Sequence, residues 1–203
     1  MINLYSGTPG SGKSLHVAQD IKWYLEHNKP VITNFYFKAN LCKCKKYGGF
    51  LFIPNDELTV DKLIDFSELY KEERKKDNLE EESILLVIDE CQILFNAREW
   101  NNIYRKDWVS FFSQHRKLGY KIVLVAQYSE MIDKQIRALI EYEYIHRKVS
   151  NIGMGGKIFS LVLGGNLHVA VKIYKPLRVK VGQDFFKAEK TLYRLYDTYN
   201  YFY

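Results

Sequence analysis

The stretch that decides the fold lies near the amino terminus and reads Gly7-Thr8-Pro9-Gly10-Ser11-Gly12-Lys13-Ser14. Every fixed position of the phosphate-loop (Walker A) pattern is present. Ile2–Tyr5, just before it, predicts a short buried strand, and apolar residues at helical spacing after it predict a helix over Lys13–His27. This strand–loop–helix context is the one the pattern requires, so we interpret the stretch as a nucleotide-binding loop.

Each residue type in this loop has a chemical reason to be there. Glycines let successive backbone amides approach phosphate oxygens, and the helix that follows presents unpaired N–H groups and the positive end of its dipole. Lys13 is expected to reach the β- and γ-phosphates, and Ser14 to ligate magnesium. The sequence therefore predicts ATP and Mg²⁺ as ligands, with all eight residues of Gly7–Ser14 binding the nucleotide.

Two carboxylates follow a second buried strand. Ile84–Ile88 is a run of five apolar residues, too short for a helix and typical of a parallel strand covered on both faces. Asp89 comes next, where a Walker B aspartate holds magnesium directly or through water. Glu90 then has the position of a general base that orients and deprotonates the attacking water. An acidic turn after a strand is the structural alternative, and the phosphate loop upstream favours the catalytic interpretation.

Two further catalytic residues are predicted. Gln127 directly follows the apolar strand Lys121–Ala126. A polar side chain there can touch both the γ-phosphate and the attacking water. The structural alternative is that Gln127 only forms a hydrogen bond to loop backbone at the end of the strand. ATPases of this kind often take an arginine from a neighbouring subunit to neutralise the transition state. Arg116 is the first candidate because it ends a helix just before this strand, and Arg98 and Arg137 are the others. The alternative for each arginine is a surface ion pair.

The order of elements predicts an α/β fold with a mostly parallel sheet and crossover helices over residues 1–150. Further elements expected there are a strand Val31–Phe37, an amphipathic helix Asp61–Lys76 and helices near Asn101–Lys117 and Ser129–Glu141, followed by a strand Tyr142–Arg147. Residues 38–82 are interpreted as an insertion.

Residues 151–203 are expected to form a β-rich extension packed on this core. Lys157–Leu163 and Leu167–Tyr174 flank Gly164-Gly165-Asn166, the pattern of a β-hairpin. Leu177–Val181 and Tyr193–Tyr196 are predicted as further strands.

Net charge, cysteine content and the length of apolar runs limit the partners and the cellular location that we expect for this protein. A net charge of +6 permits an anionic partner such as nucleic acid but does not select one. Cys42, Cys44 and Cys91 lack the spacing of a zinc site, and their odd number favours a reducing compartment. No apolar run approaches the roughly 20 residues that span a bilayer, and a phosphate loop starting at residue 7 leaves no room for a targeting peptide. We therefore expect a cytoplasmic module.

Several segments together resemble a known family. Besides Gly7–Ser14 and Ile84–Glu90, they are Thr33-Asn34, Gln114-His115-Arg116 before Ile122–Gln127, and the terminal Leu195-Tyr196-Asp197-Thr198. The chain resembles the zonula occludens toxin-like family, which includes the filamentous-phage gene I assembly proteins. The resemblance implies an oligomeric ATPase, expected to form a ring by analogy to its class, of the additional-strand type related to RecA and to FtsK- and HerA-type pumps.

The same resemblance implies a function. It implies extrusion of phage single-stranded DNA through the inner membrane, with inner-membrane assembly proteins as partners and the cytoplasmic face of that membrane as location. Family members usually continue into a transmembrane helix, and this sequence stops at Tyr203. A generic DNA-translocating ATPase, a nucleoside monophosphate kinase and a nucleotide-dependent oligomerisation module are the alternatives. The chain has no Asn-Lys-X-Asp motif for reading guanine, which argues against a GTPase.

Overall fold

Eight strands form one sheet over residues 1–42, 49–98, 105–162 and 166–196, the parts of the chain that the computed structural model describes. The strand order is β3-β2-β4-β5-β1-β6-β7-β8. In chain order the strands are β1 Ile2–Ser6, β2 Val31–Thr33, β3 Phe50–Phe52, β4 Ile84–Ile88, β5 Tyr120–Val125, β6 Tyr142–Lys148, β7 Leu167–Tyr174 and β8 Val179–Lys187. The helices are α1 Lys13–Glu26, α2 Val60–Glu73, α3 Arg105–Gln114, α4 Lys134–Ala138, α5 Gly153–Val162 and α6 Lys190–Leu195.

The sheet is parallel from β3 to β6 and antiparallel from β6 to β8. β5 lies between β1, which leads into the phosphate loop, and β4, which leads into Asp89. A strand inserted between these two is the defining feature of the additional-strand class, so the predicted fold class is confirmed. The carboxyl ends of the parallel strands meet at one edge of the sheet, which is where α/β proteins bind ligands.

The core has two layers, one on each face of the sheet. Along β4, Ile84, Leu86 and Ile88 point into one apolar cluster with α2, α3 and α4, whereas Leu85 and Val87 point into the other with α1 and α6. All five of these side chains are fully buried. Burying one such side chain contributes about 1.5–3 kcal/mol, which explains why an uninterrupted apolar run is required here.

Residues 38–82 supply the outer part of the same sheet. β3 pairs in parallel with β2 and forms the sheet edge, and α2, which begins after the Thr59 cap, packs against the first core cluster. The predicted helix Asp61–Lys76 is therefore confirmed with slightly different ends. Cys44 and the neighbouring Lys43, Lys45 and Lys46 lie outside the described residues.

Several predicted boundaries were wrong for local reasons. The strand predicted over Val31–Phe37 ends at Thr33, whose hydroxyl donates to the Phe35 carbonyl and turns the chain. The helix predicted over Ser129–Glu141 is a 3₁₀ turn and then α4, because the Asp133 side chain accepts from Gln135 N and Ile136 N and caps a new helix. Of the helix predicted over Asn101–Lys117, the structure describes the part from Arg105, which forms α3 and ends at Gln114.

The carboxyl-terminal part contains more helix than predicted. Lys157–Leu163, predicted as a strand, lies mostly in α5, and Tyr193–Tyr196 lies mostly in α6. Short apolar runs fit a strand and a buried helix equally, and helix was the outcome in both places. The hairpin joins β7 to β8 through a turn at Lys175–Arg178, and the predicted turn residues Gly164 and Gly165 lie outside the described residues. In the described part of the chain, no helix is long and apolar enough to cross a membrane.

Candidate nucleotide site

The phosphate loop turns tightly between β1 and α1. Gly7, Gly10 and Gly12 have φ values of 137°, 73° and 103°, which other residues rarely adopt. A Cβ on Gly7 would lie 2.5 Å from the backbone oxygen of His146, and one on Gly12 would lie 2.7 Å from the His168 ring. The loop therefore requires glycine for two reasons, its backbone conformation and the close approach of β6 and β7.

The polar groups of the loop fit a phosphate ligand. The Lys13 ammonium donates to the carbonyls of Gly7, at 2.6 Å, and Thr8, at 3.3 Å, which hold it over the loop. The Ser11 hydroxyl is buried and has no hydrogen-bond partner among the described residues. Burial lowers the pKa of Lys13, whereas the nearby Asp89 and Glu90 carboxylates raise it. The predicted cation and the two predicted carboxylates are thus close enough to interact.

Asp89 is held in a fixed position at the end of β4. The Asn34 side chain forms two hydrogen bonds with the Asp89 backbone. Asn34 Nδ2 donates to Asp89 O at 2.8 Å, and Asp89 N donates to Asn34 Oδ1 at 2.7 Å. The two carboxylate oxygens accept from different donors, Oδ1 from Glu90 N at 2.9 Å and Oδ2 from the Tyr196 hydroxyl. Burial raises the pKa of Asp89, the hydrogen bond from Tyr196 lowers it and the nearby Glu90 raises it. We call Asn34, Asp89, Glu90 and Tyr196 the carboxylate flank of the loop.

Glu90 and Gln127 follow adjacent strands at the same edge of the sheet. Glu90 has φ 46° and ψ 44°, a left-handed conformation that is strained for this residue type, and it accepts a hydrogen bond from Gln92 Nε2. Gln127 follows β5, and its backbone carbonyl accepts from Gly7 N at 3.1 Å. The fold therefore brings Glu90 and Gln127 to the edge that carries the phosphate loop.

Three histidines support the opposite side of the loop. His146 Nδ1 faces the carbonyls of Ser6 and Tyr144, at 3.2 and 2.9 Å, and so carries the proton. Its Nε2 is then the acceptor for His16 Nδ1–H at 2.9 Å. His168 Nδ1–H donates to Ser11 O at 2.8 Å. We call His16, His146, His168 and the Phe186 ring that contacts all three the histidine flank.

Burial keeps the histidine flank uncharged. It lowers the pKa of His16 and His168, and it lowers that of His146 to about 3. The neutral rings can pack on one another and on Phe186, which charged rings would resist.

Arg116 lies at the other edge of the sheet. Its guanidinium donates to Glu141 Oε2 at 2.7 Å, close to the amino terminus of the chain and the start of β1. Arg98 and Arg137 follow the carboxyl ends of β4 and β5; the Arg98 backbone is bonded to Asn96 Oδ1, and the Arg137 side chain to Ser129 O. Arg116 is therefore remote from the phosphate loop of its own chain, and its role in a neighbouring subunit stays a prediction.

The residues that the sequence did not single out for the site come from distant parts of the chain. Asn34 was noted only as part of a family resemblance, as was Tyr196, and the three histidines form no local motif. Asn34 and Asp89 are 55 positions apart, and Ser11 and His168 are 157 apart. Apart from that resemblance, nothing in the sequence pointed to these contacts.

The residues present fit a magnesium ion beside the loop. Ser14 is the second residue of α1 and Asp89 directly follows β4, and both lie next to the Tyr196 hydroxyl. Mg²⁺ is bound through one or two protein oxygens together with nucleotide phosphates and water, so this small donor set is sufficient. Among the described residues, no group of three or more His, Cys, Asp or Glu side chains could hold a metal. Such a group is not needed for a nucleotide-bound ion.

The fold has relatives among solved structures. The N-terminal domain of zonular occludens toxin from Neisseria meningitidis matches with a TM-score of 0.54 at 20% identity, covering 97% of this chain and 98% of that one. The DNA-packaging ATPase B204 of Sulfolobus turreted icosahedral virus matches with a TM-score of 0.56 at 12% identity, covering 92% and 96%. The genome packaging NTPase B204 of Sulfolobus turreted icosahedral virus 2, in complex with ATP-gammaS, matches with a TM-score of 0.55 at 13% identity, covering 92% of this chain and 96% of that one. At these identities the likeness establishes the P-loop NTPase fold.

Sequence comparison identifies the family. The chain is 32% identical to the Gene 1 protein of Enterobacteria phage fd over 203 aligned positions, and 28% identical to that of Escherichia phage If1 over 208. These alignments cover 95% and 97% of this chain but 58% of each relative, so the chain spans little more than half of their length. The family model for zonular occludens toxin (Zot) matches residues 1–200. The chain therefore belongs to the Zot family.

Proposed function

We propose that this chain is an ATP-hydrolysing motor domain that powers filamentous phage assembly and the export of single-stranded DNA across the inner membrane. The observation that carries the proposal is the convergence of Lys13, Asp89 and Glu90 at one sheet edge, with β5 between their strands. This arrangement serves phosphate binding, cation binding and water activation at a single site. The Gene 1 proteins of Enterobacteria phage fd and Escherichia phage If1 are its relatives in sequence, which supports phage assembly as the biological setting.

The proposed mechanism assigns each step to a named group. The loop amides and Lys13 bind the β- and γ-phosphates, and Ser14 and Asp89 hold magnesium, which when bound neutralises phosphate charge. Glu90 orients the attacking water and takes its proton, and Gln127 contacts the water and the γ-phosphate. Gly7 N donates a hydrogen bond to Gln127 O. A movement of the loop backbone would therefore also move Gln127.

The direct test measures phosphate release by purified protein over a range of concentrations, with and without single-stranded DNA. We expect activity that rises steeply with concentration, because the active species is a homo-oligomer, and a further rise with DNA. Lys13→Ala is the matched inactive control and should lose nucleotide binding in calorimetry. Phosphate transfer to added nucleoside monophosphates, in place of release to water, would instead identify a kinase.

The charge distribution supports DNA as the polyanionic partner. Seven of the 30 basic residues and none of the 24 acidic ones lie between positions 144 and 183, leaving 23 basic and 24 acidic residues elsewhere. Arg178 and Lys180 are exposed at the β7–β8 turn and the start of β8. Exposed basic side chains such as these two attract a phosphate backbone without reading its sequence.

A charge-reversal experiment tests this partner. The double variant R178E/K180E should weaken single-stranded DNA binding and reduce its dependence on salt, because fewer phosphate contacts release fewer counterions. The control is the double variant K71E/K76E, which changes the net charge by the same amount. Lys71 lies in α2 and Lys76 lies just after it. Equal losses in both variants would mean that only net charge matters and would remove the assignment of Arg178 and Lys180 to DNA binding.

The arginine that acts in trans is tested by mixing. R116A should lose hydrolysis while keeping ATP affinity, because a finger stabilises only the transition state. R116A retains an intact phosphate loop and K13A retains an intact Arg116, so co-assembled mixtures should recover activity at shared interfaces. If such mixtures remain as inactive as either variant alone, Arg98 and Arg137 are tested next.

A further inference from the structure

Tyr196 reaches the nucleotide site from the far end of the described chain. Leu192 and Leu195 of α6 are buried in the core cluster that contains α1. Leu195 O then accepts from Lys38 N at 2.9 Å, and Tyr196 forms an antiparallel bridge with Phe37. The Tyr196 ring lies 4.9 Å from the Phe35 ring. Backbone and ring are thus both anchored just after β2, and the hydroxyl has a defined position.

That hydroxyl lies between the two predicted magnesium ligands. It donates a hydrogen bond to Asp89 Oδ2. The Ser14 side chain lies beside the tyrosine oxygen. No other described group donates to Oδ2 by a hydrogen bond, while Oδ1 is already bonded to Glu90 N. The orientation of the Asp89 carboxylate therefore depends on Tyr196.

The chemistry of a serine ligand gives this arrangement a purpose. A serine hydroxyl that offers a lone pair to a cation must direct its proton elsewhere, and the Tyr196 oxygen is placed to accept it. The tyrosine proton is directed to the negatively charged Asp89, so the tyrosine oxygen is left to act as an acceptor toward Ser14. The tyrosine thereby links the two ligands and sets their orientation.

We propose that Tyr196 is a positioning residue of the magnesium site, through which the carboxyl-terminal helix α6 contributes to metal-dependent nucleotide binding. This inference rests on the proposed function, because it assumes that Ser14 and Asp89 hold magnesium with bound ATP. Tyr196 acts through these two side chains and is not itself a ligand of the nucleotide.

The test separates metal binding from nucleotide binding. Affinity for a non-hydrolysable ATP analogue is measured in EDTA, and Mg²⁺ is then titrated at saturating analogue. Tyr196→Phe keeps the ring packing and removes only the hydroxyl. We expect unchanged affinity in EDTA and a Mg²⁺ midpoint raised about tenfold, the size expected when a hydrogen bond to a charged group is lost. Tyr193→Phe, an exposed tyrosine of the same helix, is the matched control and should match the wild type.

Each outcome decides a specific point. An unchanged Mg²⁺ midpoint in Tyr196→Phe, or an equal loss of affinity in EDTA and in Mg²⁺, overturns the positioning role while leaving the proposed function standing. A wild-type chain that binds the analogue and Mg²⁺ but never hydrolyses ATP overturns the motor and leaves the positioning role intact. A wild-type chain that binds no analogue overturns both.

Discussion

The two flanks of the phosphate loop are held by different kinds of contact. On the carboxylate flank, Asn34, Asp89 and Tyr196 are joined by directional hydrogen bonds to charged or backbone groups. On the histidine flank, neutral rings stack and pack, and two of them bond to backbone carbonyls of the loop and its strand. If the proposed function is right, we expect a division of work, in which the carboxylate flank takes part in the chemistry and the histidine flank fixes the backbone of the loop. Changes on the first should alter turnover, and changes on the second should alter stability.

The largest effect is expected for Glu90→Gln on the carboxylate flank. The amide keeps the shape of the side chain but cannot accept a proton from water, so turnover should fall about 10²–10⁴-fold. ATP affinity in calorimetry and the midpoint of unfolding should stay near wild type. Gln92→Leu, which removes the neighbour bonded to Glu90, is the control and should lower turnover far less. Turnover at half the wild-type rate in Glu90→Gln would assign the base elsewhere.

The next effect tests the close packing of the histidine flank. Gly12→Ala places a methyl group 2.7 Å from His168, whereas a Cβ on Gly10 meets nothing within 4 Å, although both glycines have positive φ. Gly12→Ala should therefore cost about 1–3 kcal/mol more in free energy of unfolding than Gly10→Ala, the typical cost of overpacking. Denaturant unfolding of both variants gives the difference.

A double variant shows where that cost arises. Gly12→Ala combined with His168→Ala removes the ring that the methyl group meets, so part of the loss should be recovered in a double-mutant cycle. Strictly additive losses would mean that backbone strain alone makes alanine unfavourable at position 12.

A smaller effect concerns pH and the buried His146. Its pKa is about 3 in the folded chain and near 6.5 when unfolded, so between these values the unfolded chain binds more protons. Stability is therefore full above pH 6.5 and is lost as pH falls toward 3, by roughly 2 kcal/mol between pH 7 and pH 5 for one such group. His146→Phe should flatten this dependence in denaturant unfolding series. Equal slopes in the wild type and in His146→Phe would contradict the assignment.

The contrast between the flanks also explains what the sequence could and could not predict. The phosphate loop, α1, β4 and β5 follow from local patterns, since a fixed motif and uninterrupted apolar runs have one interpretation each. The partners Asn34 and Tyr196 meet Asp89 only because the fold joins residues 55 and 107 positions apart. No local period records such a contact. For the same reason the apolar residues of α5 and α6 were interpreted as strands, because short runs fit either structure until the packing is known.

The smallest effect is expected at the edge of the sheet opposite the loop, which belongs to neither flank. Arg116 is about half exposed, and an exposed ion pair contributes little, so Arg116→Ala should change the free energy of unfolding by less than about 1 kcal/mol. Glu141 would retain its contacts with the amino terminus, at 4.0 Å, and with Ile2 N, at 3.2 Å. Glu141→Gln should therefore cost more, because it weakens all three interactions. Denaturant unfolding of the two variants gives the comparison. A loss well above 1 kcal/mol in Arg116→Ala would mean that this arginine stabilises the fold. Any loss of hydrolysis in the mixing experiment would then have to be corrected for the fraction of unfolded protein before it is assigned to the site of a neighbouring subunit.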